Sequence, residues 1–366
     1  MKSILFVAHD PGGANVIKPV IEYYAARHDL QSHLLLLGPA AERIKPTSTS
    51  VVAHTVRTIT TPDFPNELSA EPEDIAGILD KIKPQAVFTA TSFNSNLERL
   101  AVRFANERGI PTFSILDFWS NYQKRFTLNG TVSQPQTLFV ADGRMKREAE
   151  AELPGTSVLI SGNPHLANIA AQYADARSKA VTTPIRRIRF FCENIKHYYP
   201  EKPINEFTVV PRLLQSLRLC GFNGELIIRP HPMESREPWQ EAVQRDEGEG
   251  MRDIDEENNI RKRVTMRLDT ASFDEVLRDN CLAVGFSSMA LLETASVGIP
   301  TFSYQISVPD DYFWLPFEEY GIVCLREEAD IMRLLEEQAH RDIRPISADN
   351  HSPLTVIDQA VRRVLS

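Results

Sequence analysis

The chain has 366 residues, of which 42% are hydrophobic, 24% charged and 8% aromatic. This is the composition of an ordinary globular protein, and it excludes a disordered chain, a collagen and a coiled coil. Forty lysines and arginines against 49 aspartates and glutamates give a formal net charge of −9, so the chain lacks the basic field that binds nucleic acid, and nucleic acid is not an expected partner.

The apolar runs are short and the cysteines are scattered. The run Ser32–Gly38 falls far short of the ~20 residues that span a bilayer. The start, Met1–Ser3, leads into a strand-like run without the pattern of a secretory signal. The four cysteines lack the CxxC spacing of a metal or redox site. We expect a cytoplasmic protein whose contact with a membrane is at most peripheral.

In the first half of the chain, short apolar runs alternate with amphipathic segments. This pattern predicts βα units around a parallel sheet that is buried on both faces. The predicted strands are Ile4–His9, His33–Gly38, Val51–His54, Gln85–Thr91, Thr112–Asp117, Thr137–Ala141 and Ser157–Ser161. The predicted helices are Ala14–Arg27, Glu73–Lys81 and Asn94–Arg108. The strand signal then vanishes around Asn168–Pro184, where we expect a helix and a linker.

A second alternating series follows. Its predicted strands are Arg187–Cys192, Glu225–Arg229, Arg263–Arg267, Leu282–Gly285, Thr301–Tyr304 and Ile322–Leu325. Its predicted helices are Asn205–Cys220, Ser272–Arg278, Ser288–Val297, Glu327–His340 and Thr355–Leu365. The charged stretch Glu234–Arg263 is expected to be a solvated helix or loop.

The two series predict an α/β protein with two Rossmann-like, doubly wound domains that face each other across a cleft. The expected domains are residues 1–167 and 185–350, joined by a linker at 168–184 and followed by a C-terminal helix at 351–366. Ligands of such sheets bind at the carboxyl ends of the strands. The loops that follow strands are therefore the candidate functional segments.

The first such loop combines two glycines with two ionisable side chains. Gly12 and Gly13 allow close approach to the backbone, and the helix that starts before Asn15 offers N–H groups to an anion or a sugar hydroxyl. The loop matches neither GxGxxG nor the P-loop pattern. His9 and Asp10 are candidate general bases. A tight turn capped by Asp10 is the structural alternative.

Two further loops of the first half carry polar side chains. The run Thr89–Glu98 has hydroxyl and amide groups that suit a polyhydroxylated ligand, although Ser92 or Asn94 can equally cap a helix. After the next strand, Asp117 is followed by aromatic and amide side chains, a mixture typical of carbohydrate and nucleobase sites. A buried Trp119 that anchors the loop is the alternative.

The sharpest feature of the second half is a histidine between two prolines. Pro230 and Pro232 restrict the backbone around His231 at the end of a predicted strand, and Arg229 and Glu234 flank it. A histidine fixed in this way beside opposite charges is a poor core residue. We therefore predict that His231 contacts a ligand.

Two loops of the second half are candidates for phosphate binding. Ser287 can cap the helix that follows it, and the first-turn N–H groups, with the hydroxyls of Ser287 and Ser288, form a phosphate site. Glu293 lies about one and a half turns further along the same helix. Asn194 and Lys196 follow another strand and can contact a phosphate, unless they lie on a solvated surface loop.

Together these motifs resemble the donor half of GT-B-fold enzymes. The segment Arg229–Glu234, followed by Ser287–Glu293 and Gly298–Pro300, is similar to segments of three groups of enzymes. They are glycosyltransferases of bacterial surface polysaccharide assembly, glycerophosphotransferases of teichoic acid synthesis and UDP-N-acetylglucosamine 2-epimerases. The likeness in motif covers residues 185–305, and the likeness in layout covers both predicted domains.

The resemblance implies a glycosyltransferase without a bound metal or cofactor. Its donor would be a diphosphate-activated sugar, either a nucleotide sugar or phosphoribosyl diphosphate, and its acceptor a glycan or lipid-linked glycan. His231 would stabilise leaving-group charge, and the first domain would present the acceptor, with Asp10 or Asp117 as base. The implied donor-binding residues are Arg229, Glu234, Ser287, Ser288, Glu293, Asn194 and Lys196.

Other functions remain open at this stage. A glycerophosphotransferase is one alternative, and an epimerase is another, although the first loop lacks a clear epimerase pattern of paired carboxylates and histidines. A two-lobed protein that binds a ligand without catalysis would use the same cleft.

Overall fold

Both halves of the chain form parallel sheets in the computed structural model. The structure describes residues 2–27, 29–45, 51–61, 64–174, 186–249, 264–279, 281–313, 315–337 and 352–365. Unit 1 consists of Met1–Asn168 and Ala348–Ser366, and unit 2 consists of Ile169–Ser347.

Unit 1 is built on one large sheet. Its strands are β1 (Lys2–Ala8), β2 (Leu30–Leu36), β3 (Val51–His54), β4 (Thr58–Thr61), β5 (Phe64–Ala70), β6 (Ala86–Thr89), β7 (Thr112–Ile115), β8 (Thr127–Leu128), β9 (Thr131–Val132), β10 (Thr137–Val140) and β11 (Ser157–Ile160). Seven of them pair in parallel in the order β11-β10-β7-β6-β1-β2-β3. The predicted strands of this half are confirmed.

The remaining four strands form two small antiparallel hairpins, β4–β5 and β8–β9. The helices that begin in unit 1 are α1 (Pro11–Ala25), α2 (Gly38–Arg43), α3 (Pro72–Ile82), α4 (Leu97–Glu107), α5 (Gly143–Glu152) and α6 (Pro164–Gln172). The hairpins, α2 and α5 are not among the elements predicted from the sequence.

The sheet of unit 1 is buried on both faces because alternate residues of a strand point to opposite sides. Ile4 and Phe6 of β1 pack in one apolar cluster with residues of α1, such as Ile17. Leu5 and Val7 pack in a second cluster with residues of α3 and α4. Helices thus cover both faces, as the continuous apolar strands predict.

Unit 2 repeats this plan with six parallel strands. They are β12 (Arg187–Phe191), β13 (Glu225–Arg229), β14 (Thr265–Leu268), β15 (Leu282–Gly285), β16 (Thr301–Tyr304) and β17 (Val323–Leu325), in the order β14-β13-β12-β15-β16-β17. The helices are α7 (Ile195–Tyr198), α8 (Glu206–Leu219), α9 (Glu237–Glu249), α10 (Phe273–Leu277), α11 (Met289–Ser296) and α12 (Glu328–Glu337). The doubly wound fold class predicted for each half is confirmed.

Four predicted segments lie partly outside the described residues. These parts are residues 175–184 of the expected linker, residues 250–263 of the charged stretch, the first residue of the predicted strand Arg263–Arg267 and the last three of the predicted helix Glu327–His340. The described start of the charged stretch forms α9. No helix among the described residues combines the length and apolar character that a membrane crossing requires.

The last helix, α13 (Pro353–Leu365), belongs to unit 1 rather than following unit 2 as a separate element. Ile357 and Val361 are buried in the same apolar cluster as Ile4 and Phe6 of β1. The Lys2 ammonium group donates a hydrogen bond to the Leu365 carbonyl. Helix α13 and strand β1 therefore share one apolar core.

Gly13 brings α1 against the loop after β6. A Cβ atom at Gly13 would lie 2.7 Å from the Thr91 carbonyl oxygen and 2.9 Å from the Ala90 Cβ atom. Gly77, in α3, has no heavy atom within 4 Å of the same position. We expect Gly13→Ala to destabilise the protein by about 1–3 kcal/mol through overpacking. Gly77→Ala should stabilise it by about 0.5–1 kcal/mol.

Urea unfolding of the two variants checks this prediction, because both changes replace a helical glycine of unit 1. Equal midpoints for Gly13→Ala and Gly77→Ala would contradict the close packing of α1.

Candidate functional site

Three loops of unit 1 converge because their strands are neighbours in the sheet. The strands β1, β6 and β7 lie side by side and run parallel. The loops after them, which carry Asp10, Thr91 with Ser92, and Asp117, therefore leave the sheet at one edge. We call this group of polar side chains the β1–β6–β7 cluster.

Asp10 connects the first two loops. Its Oδ1 atom lies 2.7 Å from His9 Nδ1 and accepts a hydrogen bond of 2.9 Å from the Ser92 hydroxyl. Its Oδ2 atom accepts a bond of 2.7 Å from the Phe93 N–H. Burial alone would raise the Asp10 pKa, but the hydrogen bonds from His9, Phe93 and Ser92 hold that pKa below its usual value.

Asp10 occupies the N-cap position of α1, yet its side chain makes no capping hydrogen bond. The alternative of a simple capped turn is therefore wrong. Ser92 and Asn94 do not cap α4 either, because Asn96 precedes that helix and its side chain makes no cap bond. Ser92 binds Asp10 instead.

His9 is held rigidly. Only 1% of the residue is exposed, and its backbone N–H donates a bond of 2.8 Å to Glu98 Oε1. The ring packs on the left-handed Gly38, where an added Cβ atom would lie 2.7 Å from Nε2. Because the Asp10 carboxylate only accepts, His9 carries a proton on Nδ1.

Glu98, in the first turn of α4, is a site residue that the sequence analysis did not select. It is 2% exposed, and its Oε2 atom is buried without a hydrogen-bond partner among the described residues. Burial raises the Glu98 pKa to about 7, and the nearby Asp10 charge adds to the rise. The only signal in the sequence is that Glu98 lies in the first turn of a helix after a polar loop. An acidic residue at that position is common in helices without a functional role, so the signal does not single it out.

Asp117 follows β7 and binds two partners. Its Oδ1 atom accepts hydrogen bonds of 2.8 Å from Arg125 and 3.2 Å from the Thr91 hydroxyl. Its Oδ2 atom faces Gly12, where a Cβ atom would lie only 2.2 Å away. Gly12 is therefore needed for the Asp117 carboxylate to approach α1. The structure thus brings Asp10 and Asp117 into one connected cluster through Ser92 and Thr91.

Other predicted residues of unit 1 lie at the margin of this cluster. The Asn15 side chain accepts a hydrogen bond of 3.0 Å from Arg43, in α2. Trp119 is buried and its indole N–H donates a hydrogen bond of 2.5 Å to Asp142. This residue is thus an anchor of the loop, as the structural alternative predicted.

In unit 2, the loop between β15 and α11 differs from the predicted phosphate site. Ser288, and not Ser287, is the N-cap of α11, and its hydroxyl accepts a bond of 3.2 Å from the Ala290 N–H. The N–H groups of Phe286 and Ser287 donate bonds of 3.0 and 2.5 Å to Glu193 Oε1. These two N–H groups precede the helix and are not the first-turn groups predicted to bind a phosphate; of those, the Ala290 N–H is bonded to the Ser288 hydroxyl. Glu293 is partly exposed on α11.

His231 lies partly buried at the end of β13. Its Nδ1 atom accepts a hydrogen bond of 3.2 Å from the Met233 N–H, so the neutral ring carries its proton on Nε2. Burial lowers the His231 pKa. Its backbone N–H donates a bond of 3.1 Å to Glu234 Oε2, and Trp239 donates one of 2.9 Å to Glu234 Oε1. Glu234 therefore holds the turn that carries His231.

Arg229 does not offer an unpaired positive charge. Its guanidinium group donates hydrogen bonds of 2.8 Å to Asp269 and 2.9 Å to the Ala271 carbonyl. Asp269 also binds the buried Arg189 at 3.0 Å. Arg229, an expected donor-binding residue, is therefore engaged within unit 2 by a carboxylate that it shares with Arg189.

A cavity of about 830 Å³ lies beside α7, α8 and α9 in unit 2. Its lining includes Asn194, Lys196 and Glu234, together with Phe207 and Trp239, whose rings stack 4.3 Å apart. Ser287, Ser288 and Glu293 do not line it. The predicted donor residues therefore fall into two groups. Among the described residues, no cluster of three or more His, Cys, Asp and Glu side chains could hold a metal ion.

Known structures share the fold of this chain. MurG of Acinetobacter baumannii matches with a TM-score of 0.55 at 10% identity, over 99% of this chain and 100% of that one. UDP-N-acetylglucosamine 2-epimerase of Rickettsia bellii matches at 0.56 and 14% identity, over 100% and 96%. HepE of Anabaena, solved in complex with UDP, matches at 0.56 and 12% identity, over 100% and 99%.

No protein-family model and no curated protein sequence matches the chain. The structural matches therefore define the fold. The chain has the GT-B-like fold of two Rossmann-like domains that the motifs predicted.

The raised pKa of Glu98 predicts a pH dependence of stability. Because the Glu98 pKa rises from 4.5 in the unfolded chain to about 7 in the folded one, its stabilising effect is present below pH 4.5 and is lost as the pH rises through 7. Between those limits the wild type should lose about 3 kcal/mol that Glu98→Gln retains.

Unfolding free energies measured from pH 4.5 to 8 check this, with Glu107→Gln as control, since Glu107 is an exposed residue of the same helix. A wild-type profile parallel to that of Glu98→Gln would contradict the prediction.

Proposed function

We propose that the chain is a GT-B glycosyltransferase that moves a sugar from a UDP-activated or related diphosphate donor to a glycan or lipid-linked glycan. The β1–β6–β7 cluster carries this proposal, because it sets two carboxyl groups and two hydroxyl groups from three adjacent loops at one edge of a sheet. The GT-B-like fold supports it, as does the presence of UDP in the related HepE structure. The reaction is proposed to need no metal and to take place in the cytoplasm.

Asp117 is the general base of this proposal. Its Oδ1 atom is held by Arg125 and Thr91, while Oδ2 accepts no hydrogen bond from a described residue. That oxygen is available to take the proton of an acceptor hydroxyl. As the proton leaves, the hydroxyl oxygen attacks the anomeric carbon of the donor, and the bond from that carbon to the diphosphate breaks with its electron pair on the diphosphate.

Asp10 and His9 are positioning residues in this scheme. Both Asp10 oxygens already accept hydrogen bonds, and the His9 ring is buried against Gly38. Together they fix the loop after β1, and with it Gly12 and Gly13, against which the Asp117 carboxylate and the loop after β6 pack. Asn15, beyond the glycines, is proposed to face the acceptor.

Unit 2 is proposed to bind the donor. The His231 Nε2–H group would donate a hydrogen bond to the leaving diphosphate and stabilise its charge. The Ser288 hydroxyl accepts a hydrogen bond from the Ala290 N–H and can still donate its own proton to a phosphate oxygen. Ser287 would lie beside the same phosphate. Glu293 would accept a bond from a ribose hydroxyl. Lys196, which is exposed, would add positive charge, and Asn194 would lie beside it.

An epimerase-like reaction is the second candidate, and Glu98 favours it. The sequence shows no clear pairing of carboxylates and histidines around the first loop. In the structure, however, Glu98 accepts a hydrogen bond from the His9 N–H and lies near Asp10. Two acid–base groups of different pKa are what proton removal and return at a sugar carbon require. Proton exchange at C2 of UDP-N-acetylglucosamine in deuterated water, followed by NMR, distinguishes this reaction from transfer.

We expect the protein to release UDP from one of a panel of UDP-sugars when a glycan acceptor is present. Asp117→Asn should lower kcat by about 100-fold or more, because an amide cannot take the acceptor proton. The KM for the donor should change little. Asp80→Asn is the matched control, since Asp80 is an exposed aspartate of the same unit that pairs with Arg108.

If Asp117→Asn were as active as Asp80→Asn, Asp117 would not be the general base. Incorporation of deuterium at C2 without acceptor-dependent release of UDP would contradict the transferase proposal and support the epimerase-like reaction.

A further inference from the structure

Two large apolar side chains are exposed beside His231. Tyr198, the last residue of α7, is 51% exposed, and Met233, two residues after His231, is 75% exposed. The Tyr198 ring meets the His231 ring edge to face, with the ring centroids 6.1 Å apart and the planes at 86°. Adjacent exposed apolar side chains are a feature of surfaces that bind ligands. The surroundings of His231 therefore include an aromatic surface that a ligand can cover.

The backbone holds both rings in place. The Tyr198 N–H donates a hydrogen bond of 3.0 Å to the Asn194 carbonyl, which fixes Tyr198 in the short helix after β12. The His231 N–H donates to Glu234, which fixes the turn after β13. Because β12 and β13 are parallel neighbours, the two loops leave the sheet side by side. The position of Tyr198 beside His231 therefore follows from main-chain structure.

The strand order sets the direction in which the proposed donor lies. Strand β12 lies between β13 and β15. In the proposed donor site, the ribose is near Glu293, in the helix after β15, and the diphosphate extends from Ser288 to His231, which follows β13. The sugar is attached to the diphosphate at the end opposite the ribose. In that site the sugar therefore lies on the His231 side, where the Tyr198 ring is exposed.

We infer that Tyr198 binds the sugar ring of the donor by stacking against one of its faces. This inference rests on the proposed donor site and adds the transferred group to it. The faces of a pyranose ring carry C–H groups and its edge carries hydroxyls, so one face can lie flat on the apolar surface of an aromatic ring. Tyr198 is thus a binding residue for the sugar and not for the nucleotide.

The test compares UDP with the UDP-sugars as ligands of the full chain, by titration calorimetry. Tyr198→Ala should weaken binding of a UDP-sugar by about threefold to tenfold, because the stacking surface is lost. The dissociation constant of UDP should stay unchanged, since UDP carries no sugar to stack. Tyr198→Phe keeps the ring and should bind both ligands as the wild type does.

Tyr199→Ala is the matched control. Tyr199 is the next residue and is also exposed, but the Lys202 ammonium group lies over its ring, 5.3 Å from the centroid. This variant should bind UDP and the UDP-sugar as the wild type does. An equal loss of UDP-sugar affinity in Tyr199→Ala and Tyr198→Ala would overturn the specific role of Tyr198.

Three other results separate this inference from the proposed donor site. Equal losses of UDP and UDP-sugar affinity in Tyr198→Ala would show that Tyr198 acts through the His231 ring. Unchanged UDP-sugar affinity in that variant, or a wild type that binds UDP but no UDP-sugar, would show that the sugar does not stack on Tyr198. Each of these would overturn the inference. A wild type that binds neither UDP nor any UDP-sugar would overturn the proposed donor site and the inference with it.

Discussion

Parallel pairing of the strands is the constraint on which the rest of this structure depends. It sends every loop that follows a strand to the same edge of its sheet, so polar side chains from distant parts of the sequence meet there. In both units a carboxyl group joins adjacent loops by accepting backbone N–H groups. Asp10 accepts the Phe93 N–H in unit 1, and Glu193 accepts the Phe286 and Ser287 N–H groups in unit 2.

The pKa values of these two carboxyl groups shift in opposite directions because their neighbours differ. Asp10 also binds the His9 ring and the Ser92 hydroxyl, so its pKa falls although it is buried. Burial raises the Glu193 pKa to about 8 and the nearby acid Glu206 adds to the rise, although the backbone N–H bonds lower it. The same contact between loops thus gives a permanent charge in one unit and a group that titrates near neutral pH in the other.

Much of this fold could be predicted from the sequence. Strands such as Glu225–Arg229, Leu282–Gly285 and Thr301–Tyr304 have the predicted bounds, because an apolar run between turn residues has few alternatives to a buried strand. The helix Gly143–Glu152 was missed because its charged residues leave a weak apolar stripe. The hairpin of Thr58–Thr61 with Phe64–Ala70 depends on cross-strand pairing that local pattern does not reveal.

The site could be predicted only in part. Asp10, Asp117 and His231 stood out because they follow strands, but which groups bind one another depends on strand order. Arg229 looked available beside His231, yet it pairs with Asp269, which is 40 residues away in sequence. Glu98 and Glu193 could not be identified from the sequence, because the N–H groups that donate hydrogen bonds to them belong to other loops.

A crystal structure of the protein with a UDP-sugar tests the central claim most directly. The proposed donor site requires diphosphate oxygens within hydrogen-bond distance of the Ser288 hydroxyl and of His231 Nε2, with the ribose near Glu293. A nucleotide whose diphosphate contacts neither Ser288 nor His231, or no bound nucleotide at saturating concentration, would contradict it.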